Sequence, residues 1–210
     1  MNYDPIKNAI LNGDISAVPT LVNKAISAGA SSEDVLNKGL IAGMSVVGEK
    51  FKANEIYVPE VLISAKAMHA GLDILEPLLA KAGVKPKGKV IVGTVRGDLH
   101  DIGKNLVSMM LKGAGFMVID LGIDVDPKRF IDEAVKNQAK VIAMSSLLTT
   151  SMPSMKATVD LLKNKGLKGK IKTVIGGAPV TQKYADEIDA DGYADNASSA
   201  ADKIKELLGL

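Results

Sequence analysis

Cysteine is absent from this chain of 210 residues, and histidine occurs only twice. Without cysteine there can be no disulfide, no thiolate zinc site, no cysteine-bound iron–sulfur cluster and no cysteine nucleophile. Two histidines, His69 and His100, are too few for a catalytic zinc site built on several histidine ligands. Any metal that the chain carries must therefore arrive largely pre-ligated, as it does in a macrocycle.

Aromatic residues, charge of one sign and long apolar runs are also scarce. There are three phenylalanines, four tyrosines and no tryptophan, so a core of Val, Ile, Leu, Ala and Met is expected. The formal net charge is +2 and the 26 basic residues are scattered, which argues against nucleic acid or an anionic membrane as partner. No apolar run approaches the roughly 18 residues of a membrane span, and residues 1–14 lack the features of a secretory signal. We therefore expect a cytoplasmic protein.

Residues 1–85 show only helical patterns and are predicted to form a cap domain, a bundle of four short helices. Ser31 and Asp34 have the spacing of a capping box, and Asp4 before Pro5 predicts the N-cap of the first helix. The stretch 83–88 is rich in Gly, Pro and Lys and predicts a linker. The last helix should bury a seam of apolar residues three or four apart, namely Val58, Val61, Leu62, Ala65, Met68, Leu72, Leu75 and Leu79.

From residue 86 onward, strands alternate with helices. Five apolar, β-branched runs predict strands, at 90–95, 116–122, 141–147, 173–178 and 192–196. Continuous apolar strands that alternate with helices indicate a parallel sheet covered on both faces. Residues 86–210 are therefore predicted to form a five-stranded, flavodoxin-like (Rossmann-like) doubly wound α/β domain, whose ligands bind beyond the carboxyl ends of the strands.

The loop after the first strand carries the most informative residues of the chain. That strand is predicted to end at Val95 and the next helix to span 106–112, so Asp98 and His100 lie between them. In Asp-x-His across a turn, the carboxylate can accept a hydrogen bond from one ring nitrogen while the other nitrogen points away, an arrangement that orients a metal-ligating histidine. The alternative is that Asp98 caps the helix and His100 is a solvent-facing loop residue.

Two further motifs stand at the ends of later strands. Between Gly103 and Ser145-Ser146-Leu147 lie 41 residues, and between Leu147 and Gly176-Gly177 lie 28 residues. The elements DxHxxG, SxL and GG at these distances closely resemble the cobalamin-binding domain of methionine synthase and of the small corrinoid proteins of methanol, methylamine and O-demethylase systems. The resemblance covers nearly the whole chain, because the stretch 51–79 is similar to the helical cap of that family.

The resemblance implies a role for each matching residue. His100 would coordinate the cobalt of cobalamin in place of the cofactor's own dimethylbenzimidazole, with Asp98 as its partner and Ser151 completing a Ser–Asp–His relay. The residues around Ser151 depart from the order found in methionine synthase. The other residues implied in cofactor binding are Gly97, Asp101, Ile102, Gly103, Ser145, Leu147, Thr149, Gly176 and Gly177.

Within that set, Ser145 and Leu147 would line the slot for the displaced base, and Gly103 would let the helix pack close to the nucleotide tail. Gly176 and Gly177 would let the backbone approach that tail closely. For the serines and threonines of 145–151, the alternative is ordinary helix N-capping.

Three apolar residues of the cap, Phe51, Val58 and Val61, are implied to face the methyl ligand and keep water from it. The alternative for them is ordinary bundle core, above all for Val61, which lies on the periodic seam.

The function implied by the resemblance is that of a corrinoid methyl carrier, which is not a catalyst on its own. It would cycle between Co(I) and methyl-Co(III) while passing a methyl group from a donor:corrinoid methyltransferase to a corrinoid:acceptor methyltransferase, with a folate or thiol as acceptor. An O-demethylase system is slightly favoured, and a reductive activator is implied as a further partner. The rival interpretations are the small cobalamin-binding subunit of a radical mutase, a cobalamin-dependent sensor and a flavodoxin-like receiver without cobalamin.

Overall fold

The computed structural model describes residues 1–210, and the chain divides into two compact units. The helical unit comprises Met1–Lys87 together with Lys112–Gly115, and the sheet unit comprises Gly88–Leu111 and Phe116–Leu210. Residues 112–115, which lie within the α/β half of the sequence, therefore belong to the same compact unit as the N-terminal helices.

The helical unit consists of four continuous helical segments, called rods below. Its elements are α1 (Asp4–Leu11), α2 (Ala17–Ser27), α3 (Ser32–Asp34), a π-helical segment (Val35–Ile41), α4 (Ala42–Lys52) and α5 (Val58–Lys81), of which α3, the π-helical segment and α4 follow one another without a break. The predicted cap of that rod is confirmed, because the Ser31 hydroxyl accepts a hydrogen bond from the Asp34 amide at 3.0 Å. The predicted cap of α1 is wrong by one residue, because Tyr3 is the N-cap and Asp4 is already helical.

The seam of α5 forms much of the core of this unit. Val61, Ala65, Met68, Leu75 and Leu79 are buried as predicted, whereas the remaining seam residues, Val58, Leu62 and Leu72, are half-buried. With 24 residues, α5 is not one of the short helices that were predicted. None of the helices combines the length and the apolar character that crossing a membrane requires.

The sheet unit contains a five-stranded parallel sheet in the order β2-β1-β3-β4-β5, which confirms the predicted doubly wound fold. Each observed strand overlaps a predicted apolar run, with ends that differ by up to two residues. The strands are β1 (Lys89–Thr94), β2 (Met117–Asp120), β3 (Val141–Ser145), β4 (Lys172–Gly176) and β5 (Gly192–Ala194).

Helices cover both faces of the sheet, and the two faces differ in the size of their side chains. The helices are α6 (Ile102–Gly113), α7 (Pro127–Asn137), α8 (Met152–Asn164), α9 (Gln182–Ile188) and α10 (Ala197–Leu208). Ile91, Ile142 and Ile175 pack with α7, α8 and α9 in one large apolar cluster. Alternate residues point to the other face of a strand, where smaller side chains, such as Ala143 and Val174, face α6 and α10.

Helix α6 begins four residues earlier than the predicted 106–112. The Asp101 carbonyl accepts the Asn105 amide at 2.8 Å, and this bond starts the helix directly after His100. The first turn contains Gly103, Lys104 and Asn105, which weaken the apolar periodicity on which the prediction depended. Ile102 and Gly103 are therefore helical residues and do not belong to a loop.

Candidate functional site

His100 lies beyond the carboxyl end of β1 and is held by the carboxylate of Asp98. Its ring Nδ1 is 2.7 Å from Asp98 Oδ1, and its backbone N–H donates to the same oxygen at 3.1 Å. The Thr94 hydroxyl donates to the His100 carbonyl at 2.7 Å. Asp98 has no exposed surface, whereas 52% of the His100 side chain is exposed. The second ring nitrogen, Nε2, is thus available to a ligand, while Nδ1 is held by the Asp98 carboxylate.

The second oxygen of Asp98 is surrounded by donors from the loop after β3. Oδ2 accepts hydrogen bonds from the backbone amides of Leu147 (2.6 Å) and Leu148 (3.3 Å) and from the hydroxyl of Ser151 (3.0 Å). Burial acts to raise the pKa of the Asp98 carboxyl. The hydrogen bonds from Leu147, His100 and Ser151 outweigh burial, and the pKa lies well below its usual range. Asp98 is therefore an anion under ordinary conditions and a strong acceptor for the Nδ1 proton of His100.

The loop after β2 also holds the segment 97–98, through hydrogen bonds with Asp124. The Gly97 amide donates to Asp124 Oδ1 at 2.7 Å, and the Asp124 amide donates to the Asp98 carbonyl at 3.0 Å. Asp124 adopts a left-handed backbone conformation with a φ of 51°. The Asp98–His100 turn is consequently fixed by Thr94 of β1 and by the loops that follow β2 and β3.

Exposed apolar side chains are concentrated in these same three loops and in the first turn of α6. Each is at least 40% exposed, and the set consists of Leu99, Ile102, Ile123, Leu147 and Leu148. Exposed apolar residues gathered at the ligand-binding edge of a parallel sheet indicate a surface that a ligand covers. An imidazole nitrogen within such a surface suits a large, flat, mostly apolar ligand that carries a metal.

A slot, lined in part by Gly103 of the motif that contains His100, runs between the small-residue face of the sheet and the helices α6 and α10. It encloses about 130 Å³, some ten times the ~10–15 Å³ that one water molecule requires. Four of the residues predicted to bind the cofactor line it, namely Gly103, Ser145, Gly176 and Gly177. A Cβ at Gly103 would have only the Ser145 hydroxyl nearby, at 3.8 Å, so this glycine keeps the slot open.

Gly176 and Gly177 are needed for a reason that the sequence did not indicate. A Cβ on Gly176 would lie 2.7 Å from the Ala194 carbonyl oxygen, and one on Gly177 would lie 1.8 Å from the Ser146 carbonyl oxygen. Both glycines therefore permit close contacts within the protein backbone itself. The expected approach to a nucleotide tail stays a prediction.

The remaining predicted residues are divided between the two units. Gly97, Asp101 and Thr149 are exposed in the sheet unit. In the helical unit Phe51 is half-buried like Val58, while Val61 has no exposed surface. The burial of Val61 agrees with the alternative that it belongs to the bundle core, and the role of the three cap residues toward a methyl ligand stays a prediction.

Three site residues were not identified from the sequence. Ser146 is buried and its hydroxyl lies 2.7 Å from the Ser151 hydroxyl and 3.5 Å from Asp98 Oδ2. Its position inside the Ser145-Ser146-Leu147 motif could have indicated it, because successive residues point to opposite faces at a strand end. Lys104 could have been noticed as a residue in helical register with Val107 and Leu111. Asp124 carries no sequence signal, because its role depends on its backbone conformation.

Replacing Asp98 by asparagine is expected to lower the free energy of unfolding of the ligand-free protein by about 2–3 kcal/mol at neutral pH, because buried donors lose a charged acceptor. Since the folded-state pKa is depressed, the ionised carboxylate stabilises the fold above the unfolded value of about 4. That stabilisation is lost as the pH falls through the folded-state value. The difference between wild type and Asp98→Asn should therefore narrow as the pH falls from about 5 to 2.

Urea denaturation of both proteins at a series of pH values measures this difference. Asp132→Asn is the matched control, because the pKa of Asp132 is also lowered, by Lys128, but its side chain is solvent-exposed. A small difference is expected for the control at every pH. A wild-type-to-Asp98→Asn difference that stays constant with pH would show that the ionised carboxylate is not the stabilising species.

Comparison with known proteins identifies relatives for both halves of the chain. Residues 88–202 match the family described as B12 binding domain, and residues 3–76 match a second family with the same description. A corrinoid protein of Desulfitobacterium hafniense (strain Y51) is 43% identical over 209 residues, which cover 98% of this chain and 97% of the relative. Dimethylamine corrinoid protein 1 of Methanosarcina acetivorans is 45% identical over 204 residues, which cover 97% of this chain and 95% of the relative.

Among solved structures, a chain of the methanol:cobalamin methyltransferase complex of Methanosarcina barkeri is similar with a TM-score of 0.87. The two are 32% identical, and the similarity covers 98% of this chain and 78% of that chain. These similarities extend over both the helical part and the α/β part, and they confirm the family that the DxHxxG, SxL and GG motifs indicated. The chain belongs to the B12-binding corrinoid proteins.

Proposed function

We propose that this protein carries a methyl group on the cobalt of a bound corrinoid, and that His100 Nε2 would be the protein nitrogen that holds the cobalt. The observation that carries the proposal is the buried Asp98 carboxylate, which lies 2.7 Å from Nδ1 of a half-exposed histidine. When bound, the corrinoid supplies a cobalt centre that accepts a methyl group from one partner and gives it up to another. The names of the relatives favour this function over that of a mutase subunit.

The residues of the chain fit such a cofactor. Since Asp98 is ionised, it accepts a hydrogen bond from Nδ1–H of His100, which leaves the lone pair of Nε2 for the metal, the role of a carboxylate behind a metal-ligating histidine. Ser151 and the Leu147 amide hold Asp98 in place. The apolar residues around His100 offer a surface for the flat corrin macrocycle, and the slot, which has a volume of about 130 Å³ and Ser145 in its lining, would receive the displaced base.

The strength of the Asp98–His100 hydrogen bond tunes the donor power of the imidazole. An imidazole with more anionic character is the better metal ligand. The Ser151 hydroxyl draws charge away from Asp98 by donating to Oδ2 at 3.0 Å. Ser151, Asp98 and His100 therefore form a relay in which a change at Ser151 or at Asp98 would alter how firmly His100 would hold a cobalt ion.

For the methyl donor we propose a methylated amine or methanol, in preference to the methoxylated aromatics of O-demethylase systems. Relatives that are named for dimethylamine and for methanol support this choice. The partners would be a donor methyltransferase and an acceptor methyltransferase that uses a folate or thiol, together with a reductive activator. All of these reactions would take place in the cytoplasm.

Reconstitution tests the proposal directly. The purified protein, mixed with hydroxocobalamin and passed through a gel-filtration column, should retain one corrinoid per chain. After reduction, it should take up radiolabelled methyl groups from dimethylamine or methanol when the corresponding donor methyltransferase is added. Failure to retain any corrinoid would overturn the proposed function, and uptake only from methoxylated aromatics would overturn the proposed donor class.

A further inference from the structure

Lys104 is a buried lysine that the proposed chemistry does not use. It lies in the first turn of α6, only 4% of its surface is exposed, and it lines the slot. A cation in the first turn of a helix is opposed by the positive end of the helix dipole. A lysine is almost never buried without a partner, because its charge loses the solvation of water. The position is therefore unfavourable for a lysine unless specific contacts compensate.

Two polar side chains supply these contacts. Lys104 Nζ lies 2.5 Å from Asp120 Oδ2 and 2.6 Å from Asn105 Oδ1. Asp120 is the last residue of β2, and its other oxygen accepts the Gly122 amide at 2.9 Å. The Asn105 side chain in turn donates to Asp101 Oδ2 at 3.1 Å. The ammonium group thus joins the first turn of α6 to the end of β2.

The segment that carries His100 is thereby held on both sides. Before the helix, Asp98 and the His100 carbonyl are held by the loop after β3 and by Thr94 of β1. After His100, the Lys104–Asp120 pair joins α6 to the end of β2. Because Lys104 also lines the slot, the pair lies at the point where the first turn of α6 faces the sheet.

We propose that the Lys104–Asp120 pair is a positioning pair, which sets the opening of the slot and the placement of His100 for the corrinoid. This inference rests on the proposed function. Loss of the pair leaves the first turn of α6 free to shift against the sheet, so the slot no longer matches its occupant and Nε2 is displaced from the metal.

Lys104→Met tests the proposal, because methionine keeps the length and the apolar stem of lysine but removes its charge. The variant should bind hydroxocobalamin about 10–100-fold more weakly than wild type, as loss of a residue that orients a ligand does. Electron paramagnetic resonance of the Co(II) form should show a smaller fraction of cobalt with a protein nitrogen ligand. Lys112→Met is the matched control, since Lys112 is an exposed lysine near the other end of α6, and it should behave as wild type.

Asp120→Asn removes the charge of the same pair from its solvent-exposed side and provides the test if Lys104→Met does not fold. It should reduce affinity and histidine ligation in the same direction, and the double variant should be less impaired than the sum of the singles, because both act on one contact. Wild-type affinity and an unchanged Co(II) spectrum in folded Lys104→Met or in Asp120→Asn would overturn the proposal. Failure of the wild-type protein itself to bind corrinoid would instead overturn the proposed function.

Discussion

His100→Ala is expected to weaken corrinoid binding at least about 100-fold, because the loss of a residue that merely orients a metal ligand already costs about 10–100-fold. Any corrinoid that remains bound should lack a protein nitrogen on cobalt. The fold should persist, because half of the side chain is exposed and the main-chain contact with Thr94 does not depend on the ring. Equilibrium dialysis measures the affinity, and circular dichroism confirms that the variant is folded.

The identity of the axial nitrogen can be established by isotope labelling. Protein that contains nitrogen-15 histidine, loaded with unlabelled cobalamin and reduced to Co(II), should show the doublet splitting of nitrogen-15 in its electron paramagnetic resonance spectrum. If the cofactor's own base were the ligand, the triplet of ordinary nitrogen would persist. With only two histidines in the chain, His69→Ala is a matched control that must leave the doublet intact.

Comparison of His100→Ala with His69→Ala separates the loss of a cobalt ligand from a general disturbance of packing. A triplet in the labelled wild-type protein would show that the cofactor's base stays on cobalt and that His100 has another role. Loss of the doublet in His69→Ala would show that His69, and not His100, supplies the nitrogen on cobalt. His69 lies half-buried on α5, where burial and Lys112 lower its pKa against the opposing effects of Asp73 and Glu76.

The parallel sheet was predictable because each strand is a short β-branched run that needs no information from the rest of the chain. The Asp98–His100 contact was predictable for a similar reason, since only one residue separates the two. The topology then brought the three motifs together, because the carboxyl ends of β1, β3 and β4 lie side by side. The sequence thus indicated the individual strands and motifs, and the order of the strands in the sheet determined that the motifs lie together.

The errors and omissions arise where a residue's surroundings come from distant parts of the chain. Asp98 was expected to have two partners, His100 and Ser151, but it also accepts hydrogen bonds from the amides of residues 147 and 148. The start of α6 was missed because its first turn is polar, and the contact that explains this polarity joins Lys104 to Asp120, sixteen positions along the chain. Tertiary contacts of this kind override local propensity and leave no periodic signal.

Gly177→Ala is expected to destabilise the protein by about 3–5 kcal/mol, because two unfavourable effects add. The φ of Gly177 is 125°, a conformation that side-chain-bearing residues rarely adopt, and an added Cβ would lie 1.8 Å from the Ser146 carbonyl oxygen. The backbone would have to move away from the loop after β3, which donates to Asp98. Corrinoid binding should therefore fall together with the free energy of unfolding, measured by urea denaturation and by dialysis.

Two other glycines separate these effects. Gly169 has a φ of 87° and an added Cβ would meet no atom within 4 Å, so Gly169→Ala reports backbone strain alone and should cost about 1–2 kcal/mol. Gly176 has no positive φ, but its Cβ would lie 2.7 Å from the Ala194 carbonyl oxygen, so Gly176→Ala reports the steric contact alone. Both variants should lie between wild type and Gly177→Ala in stability. If Gly177→Ala were no less stable than Gly169→Ala, the contact with Ser146 would not be what requires glycine there, and a ligand that approaches the backbone would become the better explanation.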